Sequence, residues 1–369
     1  MKVTLDLVLL RDAVAWTGRA VSSRPVSPVL SGMLLEAEGD KLRLSAYDYD
    51  VSAQCDIGAQ VAEPGRALLP ARLLVEVCKS LPSKPVELSL SGAELVVRCG
   101  TAEFGLLTMP VEDYPKLPAP PRPSAVIDGA LLQQVSGQVT SAASRDTTIP
   151  MLCVVRFDIE GENAWAAATD RYRIASRTFA WTAIPPQAKK AIRPAFMMVP
   201  AAELEGTVKG YGAGQVEIGW NDKLVSIAGG GRLTTIRLMG EDYIDYRARL
   251  NLDYSTWVQV DVAPLIAAVK RIGLVAEKST AVRLSFSDGQ VLVEAGGGGL
   301  GRAAETVEAE VSGPPVTVGF LPTFLLDGLT GVDTPRARLG MNGSAKPVMV
   351  TEDSEQPVYR YLVMALRLG

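Results

Sequence analysis

Apolar and polar residues alternate over short stretches of this chain, then switch to helical spacing, and the switch recurs three times. Val3-Thr4-Leu5-Asp6, Ala125-Val126-Ile127-Asp128 and Val258-Gln259-Val260-Asp261 are strand-like runs that each end in Asp, and those Asp residues stand 122 and 133 positions apart. Behind each comes a run with apolar residues three or four apart: Leu10 and Val14, then Leu131, Val135 and Val139, then Leu265, Val269 and Ile272. That spacing predicts amphipathic helices. An Asp just ahead of one predicts an N-cap, because its carboxylate accepts the first unpaired helix N–H groups.

A second landmark repeats in the same order. Leu69-Pro70-Ala71, Val199-Pro200-Ala201 and Leu321-Pro322-Thr323 each precede a helical pattern, with Leu73, Leu74 and Val77 in the first, Leu204 and Val208 in the second, and Phe324, Leu325 and Leu329 in the third. Alternating runs at Val86–Leu90, Val216–Trp220 and Ala337–Met341 follow and read as strands. Met109-Pro110-Val111-Glu112-Asp113-Tyr114 is similar to Met239-Gly240-Glu241-Asp242-Tyr243, and Tyr47-Asp48 precedes Thr169-Asp170 by 122 positions, as Pro28 precedes Pro150. Offsets that agree at several landmarks predict three tandem copies of one unit. Each copy reads strand, helix, strands, helix, strands: an α+β domain with two helices packed on antiparallel sheet. The expected divisions are 1–120, 124–252 and 257–369, joined by the Pro-rich stretch 118–123 and the polar stretch 251–256.

Composition narrows the chemistry. Apolar residues make up 47% and charged residues 21% of the 369, a globular balance. Histidine is absent, which removes Ser-His-Asp, Cys-His and His-metal sites. Lys+Arg number 37 against 41 Asp+Glu, so the chain as a whole is no basic nucleic-acid binder, although a local basic face is compatible with that total. Cys55, Cys78, Cys99 and Cys153 contain no Cys-x-x-Cys pair and read as free buried thiols of a reducing compartment, with no metal site. The N-terminus lacks a signal peptide's long apolar core, and no run approaches the roughly 20 apolar residues of a membrane span. A cytoplasmic location without a membrane partner is expected.

An enzyme would have to use carboxylates, hydroxyls or a phosphate loop. Gly296-Gly297-Gly298-Gly299-Leu300-Gly301 has no following Lys-Ser/Thr and its flanks read as strands, so a hairpin loop is expected. The pairs Asp48/Asp50 and Glu112/Asp113 fall in the repeated landmarks and read as turn residues ahead of acid–base or metal-binding groups. A carboxylate-dependent hydrolase and a non-DNA scaffold remain as alternatives; the first predicts divalent-metal binding or nuclease activity, the second a monomer.

Arg24-Pro25 with Pro28-Val29-Leu30, Thr169-Asp170-Arg171-Tyr172-Arg173-Ile174, Asp245-Tyr246-Arg247 and Val363-Met364-Ala365-Leu366-Arg367-Leu368 stand in order within the triplicated frame. In that order they resemble the bacterial DNA polymerase III beta subunit, the beta sliding clamp family, over the whole chain. The resemblance implies a ring-forming head-to-tail homodimer that slides on duplex DNA without sequence preference. Such a ring tethers the DNA polymerase III alpha subunit, the clamp loader and other clamp-motif proteins, conferring processivity with no catalysis and no cofactor. It implies a dimer contact from Phe104 and Leu106 to Leu274, with the strand around Glu305 beside Arg98. It implies DNA-facing charge at Arg24, Lys79, Arg145, Lys209, Lys270, Arg271 and Lys278, with Arg11 and Arg19 as further candidates. The second domain's first helix, 131–144, contains no Lys or Arg. The resemblance also implies a peptide-binding pocket at Leu152, Thr169, Arg171, Tyr172, Arg173, Ile174, Ile244, Arg249, Pro347, Leu362, Val363, Met364 and Leu366. Flexible Leu and Met walls suit several partners.

The pocket is also where the chain departs from the family pattern. The family commonly has proline where this chain has Ile244 and Ala365, an apolar residue where it has Arg249, and no residue like Gly369 at the end. Losing proline frees an N–H and local rigidity; a β-branched Ile changes the wall. These departures point to an alternative within the family: a variant second clamp whose pocket gives tolerance to a clamp-binding cyclic peptide antibiotic.

Overall fold

The computed structural model describes residues 1–185, 195–240, 242–276, 281–296 and 301–367. The first repeat comprises β1 (Lys2–Leu5), α1 (Leu7–Thr17), β2 (Gly32–Glu38), β3 (Lys41–Tyr47), β4 (Val51–Gly58), β5 (Gln60–Glu63), β6 (Gly65–Pro70), α2 (Ala71–Ser80), β7 (Val86–Ser91), β8 (Glu94–Cys99) and β9 (Ala102–Leu107). The second comprises β10 (Pro123–Asp128), α3 (Gly129–Thr140), β11 (Val154–Glu160), β12 (Asn163–Thr169), β13 (Arg173–Ala180), β14 (Thr182–Ala183), β15 (Phe196–Pro200), α4 (Ala201–Val208), β16 (Gln215–Trp220), β17 (Leu224–Gly229) and β18 (Arg232–Arg237). A short α5 (Arg247–Leu250) leads to the third: β19 (Thr256–Asp261), α6 (Val262–Ile272), β20 (Val282–Ser287), β21 (Gln290–Gly296), β22 (Arg302–Ser312), β23 (Val316–Phe320), α7 (Pro322–Thr330), β24 (Arg336–Met341), β25 (Val348–Glu352) and β26 (Tyr359–Val363). The chain is thus three tandem α+β repeats of one plan.

The Asp landmarks cap two of the three first helices. Asp6 Oδ1 accepts from the Val8 and Leu9 amides at 2.7 and 3.1 Å, and Asp128 Oδ1 from the Ala130 and Leu131 amides at 2.9 and 3.1 Å. Asp261 makes no such cap bond. It stands opposite Arg336 on the neighbouring strand and lies 3.8 Å from its guanidinium, a cross-strand partner that the first two copies lack. The apolar stripes otherwise bury as their spacing requires: Leu10, Val14, Val135, Val139, Leu265 and Val269 are fully enclosed. Leu73 departs furthest at 48% exposure, because Leu74, Val77 and Cys78 occupy the inward face of α2, and Leu131 and Phe324 are half-buried. Cys55, Cys78 and Cys99 are buried free thiols, whereas Cys153 is half-buried.

The residues gather into two compact units. The first, Met1–Leu132 with Thr182–Val199 and Glu203–Leu238, holds a five-stranded sheet ordered β5-β1-β7-β8-β9 and a nine-stranded sheet ordered β14-β10-β16-β17-β18-β4-β3-β2-β6. In it α1 packs on α2. The second, Gln133–Trp181 with Pro200–Ala202 and Met239–Gly369, holds the order β11-β12-β13-β26-β25-β24-β19-β22-β21-β20-β23, with α6 packed on α7. Repeats therefore join through shared sheet: β4 pairs with β18 in one unit and β13 with β26 in the other, both antiparallel. Around the Gly-rich stretch, β21 and β22 are antiparallel partners with Gly296 opposite Arg302, the flanks of a hairpin and not of a strand-to-helix phosphate loop. Gly297–Leu300 lie outside the described residues.

Candidate functional site

The turn between β12 and β13 is built by local polar chemistry. Asp170 Oδ1 accepts from the Tyr172 and Arg173 amides at 3.0 and 3.1 Å, while Thr169 Oγ1 accepts from the Arg171 amide at 3.2 Å and donates to the Arg173 carbonyl at 2.7 Å. Arg171 adopts φ +79°, a left-handed conformation that a non-glycine residue holds only when its surroundings enforce it. The Met364 amide then donates to the Tyr172 carbonyl at 2.8 Å, which extends the β13–β26 ladder to the exposed side chains Tyr172 and Met364.

Strand alternation sorts the predicted pocket residues onto two faces. Ile174 stands opposite Leu362, and both join a cluster with Ala167, Tyr246, Leu250 and Met349, rimmed by Tyr243, Ile244 and Tyr254. Arg173 and Val363, also opposite each other, face away. Val363 is fully buried, and Arg173 is tied to Asp170 at 2.9 Å, to Asp327, and to the Tyr361 hydroxyl at 3.2 Å, with its guanidinium 4.3 Å from the Phe324 ring centroid. Burial opposes that positive charge, yet Tyr361, Asp327 and Asp170 outweigh it and raise the pKa of Arg173. Arg173 and Val363 are therefore bracing residues behind the cluster, not part of its surface.

The segment after Ile244 is tied to β11 and β12. The Tyr246 hydroxyl donates to Asp158 Oδ2 at 2.6 Å, Arg156 donates to Asp158 Oδ1 at 2.8 Å, and Arg247 donates to Glu160 at 3.0 Å while lying 4.4 Å from the Trp165 ring centroid. Burial pushes the Tyr243 and Tyr246 phenols up, so both stay protonated at neutral pH. Arg249 points outward from α5 and is exposed, with no ion pair among the described residues. Leu152 is buried and its carbonyl accepts from the Ser144 amide at 2.8 Å; Pro347 and Leu366 are half-buried, and the Leu366 amide donates to Gly319. Reading the sequence missed Tyr243, Tyr246, Leu250, Tyr254 and Met349. The aromatic spacing Tyr243-Ile244-Asp245-Tyr246 was the available signal.

The first unit contains the same frame with different side chains. Asp48 Oδ1 accepts from the Asp50 and Val51 amides at 3.1 and 2.8 Å, Tyr49 holds φ +75°, and the Arg237 amide donates to the Asp50 carbonyl at 2.8 Å, as Met364 does to Tyr172. Where the second unit pairs Ile174 with Leu362, the first pairs Ser52 with Thr235, whose buried hydroxyls lie 2.6 Å apart. Asp48 and Asp50 are thus turn residues. The apolar floor exists in one copy because the side chains differ, not the backbone.

The predicted basic residues divide by what holds them. Arg24, Arg145 and Lys270 are exposed and make no ion pair among the described residues. Lys79 lies 2.8 Å from Glu76, Lys209 2.7 Å from Glu205, and Arg271 donates through Nε to Glu305 at 2.9 Å. Such exposed pairs hold their partners weakly. Arg11 is not a surface charge: it donates to the Cys78 and Leu81 carbonyls at 3.1 Å each and ties α1 to the end of α2. Lys278 lies outside the described residues.

Of the open sheet edges, two bear on the expected dimer contact. β9 ends its sheet and pairs with β8 alone, and Arg302–Glu308 of β22 pair with β21 alone among the described residues. On β9 Leu106, expected at the dimer contact, is 4% exposed and packs inward, Phe104 on the same face is half-buried, and Leu107 on the opposite face is 73% exposed. Leu274 is 83% exposed. Arg98 is held by Glu103 at 2.6 Å and lies 3.7 Å from Glu87, while Glu305 carries Arg271. Among the described residues no cluster of acidic or thiol side chains has metal-binding geometry, and no helix is long and apolar enough to cross a membrane.

Residues 1–118, 126–245 and 251–367 match in turn the N-terminal, central and C-terminal domains of the DNA polymerase III beta subunit. The chain is 39% identical to the beta sliding clamp of Streptomyces coelicolor and 33% identical to the beta sliding clamp homolog GriR of Streptomyces muensis, over 100% of this chain and at least 99% of each relative. The sliding clamp structure of Bacillus subtilis superimposes with a TM-score of 0.92 at 25% identity, and a Pseudomonas aeruginosa clamp bound to griselimycin with 0.91 at 25%, each covering all of both chains. Triplicated frame, matched domains and full-length relatives agree: the chain belongs to the DNA polymerase III beta subunit family, the beta sliding clamps.

Proposed function

We propose that two copies close head to tail into a ring that encircles duplex DNA and holds the replicative polymerase on it. The open edges of β9 and β22 carry this reading. Unpaired edges invite association, and a contact between two different edges closes a ring when its rotation divides the circle. Leu107, exposed on the first edge, joins Phe104 as its apolar contribution, and Leu274 supplies the third repeat's; Arg98 and Glu305 flank them. Leu106 supports the edge from within. The repeats are divided at 1–120, 124–252 and 257–369. Arg24, Lys79, Arg145, Lys209 and Lys270 meet phosphates, so binding is independent of sequence and weakens with salt.

The Ile174–Leu362 cluster with Ile244, Tyr172 and Met364 receives short apolar motifs of the DNA polymerase III alpha subunit, the clamp loader and other clamp-motif proteins. As a processivity factor the protein is not an enzyme and needs no cofactor; its expected location is the cytoplasm. A clamp loader should place the dimer on circular primed DNA, and cutting that DNA should release it. Retention after linearisation, or a monomer that adds no polymerase processivity, refutes the ring.

A second reading concerns the pocket alone. Ile244 packs at the rim of the cluster and Arg249, exposed, precedes the cluster residue Leu250 in the chain, and both are departures from the family pattern. A β-branched wall and an added charge are the means by which a pocket rejects one ligand while keeping others. On this reading the protein tolerates a cyclic peptide antibiotic that binds ordinary clamps. Titrating griselimycin and a polymerase peptide against the wild type and Ile244→Pro decides it: equal griselimycin affinity in both proteins refutes tolerance.

A further inference from the structure

Trp16, Gln138 and Arg271 each stand ten positions after the Asp landmark of their repeat. The first two make the joint between one repeat's first helix and the end of the next repeat's second helix. In the first unit the Trp16 indole lies so close over Gly210 that no side chain fits there, and it packs edge-on against Tyr211 with ring centroids 6.1 Å apart. In the second unit the Gln138 amide donates to the Gly331 carbonyl at 2.7 Å and to Asp333 at 2.8 Å. Gly210 stands ten residues beyond Pro200, and Gly331 nine beyond Pro322. The same register after Pro70 falls on Lys79 and Ser80, the last turn of α2.

We propose that Arg271 is the third residue of this series, a joint residue and not a DNA-facing one, and that it reaches the C-terminal turn of α2 in a second copy of this chain. The inference rests on the proposed ring, in which the second helix that follows the third repeat belongs to the neighbouring copy. Three observations support it. Arg271 is bonded to Glu305, within the open stretch of β22, so its guanidinium already lies at the edge assigned to the partner. Leu274, three residues on, is 83% exposed. The end of α2 already draws one guanidinium, that of Arg11 in the same chain, to its Cys78 and Leu81 carbonyls. A helix C-terminus is the negative pole of its dipole and favours a cation there. Lys79, the like charge in that turn, is matched by Glu76 at 2.8 Å.

The test is sedimentation equilibrium of the full chain over a dilution series, with thermal melting as the folding control. Arg271→Ala should weaken the dimer about a hundredfold, about tenfold for the partly buried cation at each of the ring's two joints, while the melting of the dissociated chain stays unchanged, since the side chain is exposed. Arg271→Gln, which installs the residue that serves at position 138, should recover most of the lost affinity. A dimer constant unchanged in Arg271→Ala overturns the inference and leaves the ring standing, whereas a wild-type chain monomeric at every concentration overturns the ring itself. An Arg271→Gln dimer as weak as Arg271→Ala overturns the equivalence with Gln138.

Discussion

Arg173→Leu separates bracing from ligand contact. The Arg173 side chain is 10% exposed and its charge is shared by Asp170, 14% exposed, and Asp327, 42% exposed. Breaking a buried ion pair by removing one member costs about 3–5 kcal/mol, because the other charge is left without compensation. Water already screens Asp327, so its part is small; Asp170 and the Tyr361 hydroxyl carry most of the penalty. An overall loss of about 3 kcal/mol is expected, visible as a lower urea midpoint and as faster hydrogen exchange in β13 and β26. Because Asp170 also caps the turn that presents Ile174 and Tyr172, affinity for a polymerase peptide should fall in parallel. Adding Asp170→Asn removes the stranded carboxylate and should return part of the stability, a coupling that a double-mutant cycle measures. If Arg173→Leu abolishes peptide binding while the urea midpoint stays at the wild-type value, the side chain touches the ligand and the bracing assignment is wrong.

Three other perturbations have definite outcomes. Hydrogen bonds from Arg43, opposed by partial burial and aided by Lys41, hold the Asp56 carboxyl at about 2; a depressed pKa contributes stability above the unfolded value of 3.8 that is lost as pH falls towards 2. Asp56→Asn should therefore cost about 1–2 kcal/mol at pH 7, after discounting for the exposure of Arg43 and Lys41, and progressively less as pH falls through about 2, as read from melts across that range. Ser52→Ala leaves the Thr235 hydroxyl buried without its partner and should cost about 1–2 kcal/mol, whereas adding Thr235→Val should recover most of it in the same urea titration. Tyr246→Phe removes the bond to Asp158 but leaves Arg156 on that carboxylate; a loss of about 1 kcal/mol and a several-fold weaker polymerase peptide are expected by calorimetry, and unchanged affinity would show that the Ile244 wall does not depend on it.

What the amino-acid order decided by itself lies within a few residues along the chain. Asp6 and Asp128 cap helices, Asp48 and Asp170 close turns, and the apolar stripes at Leu10, Val135 and Leu265 set the helix faces, because each effect needs only neighbours two to four positions away. Repetition of these local signals made the threefold frame legible. The tertiary structure decided which face of each strand meets what. Ile174 joins the apolar cluster by standing opposite Leu362, and Arg173 turns inward to meet Asp327, 154 positions away in sequence. Leu106 and Leu107 carry the same apolar signal, yet packing of the sheet buries one and exposes the other. Arg11 reads as a surface charge until the end of α2, 67 positions on, supplies its carbonyls. A period-2 or 3.6 pattern marks that two faces differ; which partner covers each face is settled by long-range pairing, where the free energy of burying apolar area and matching buried charge is realised.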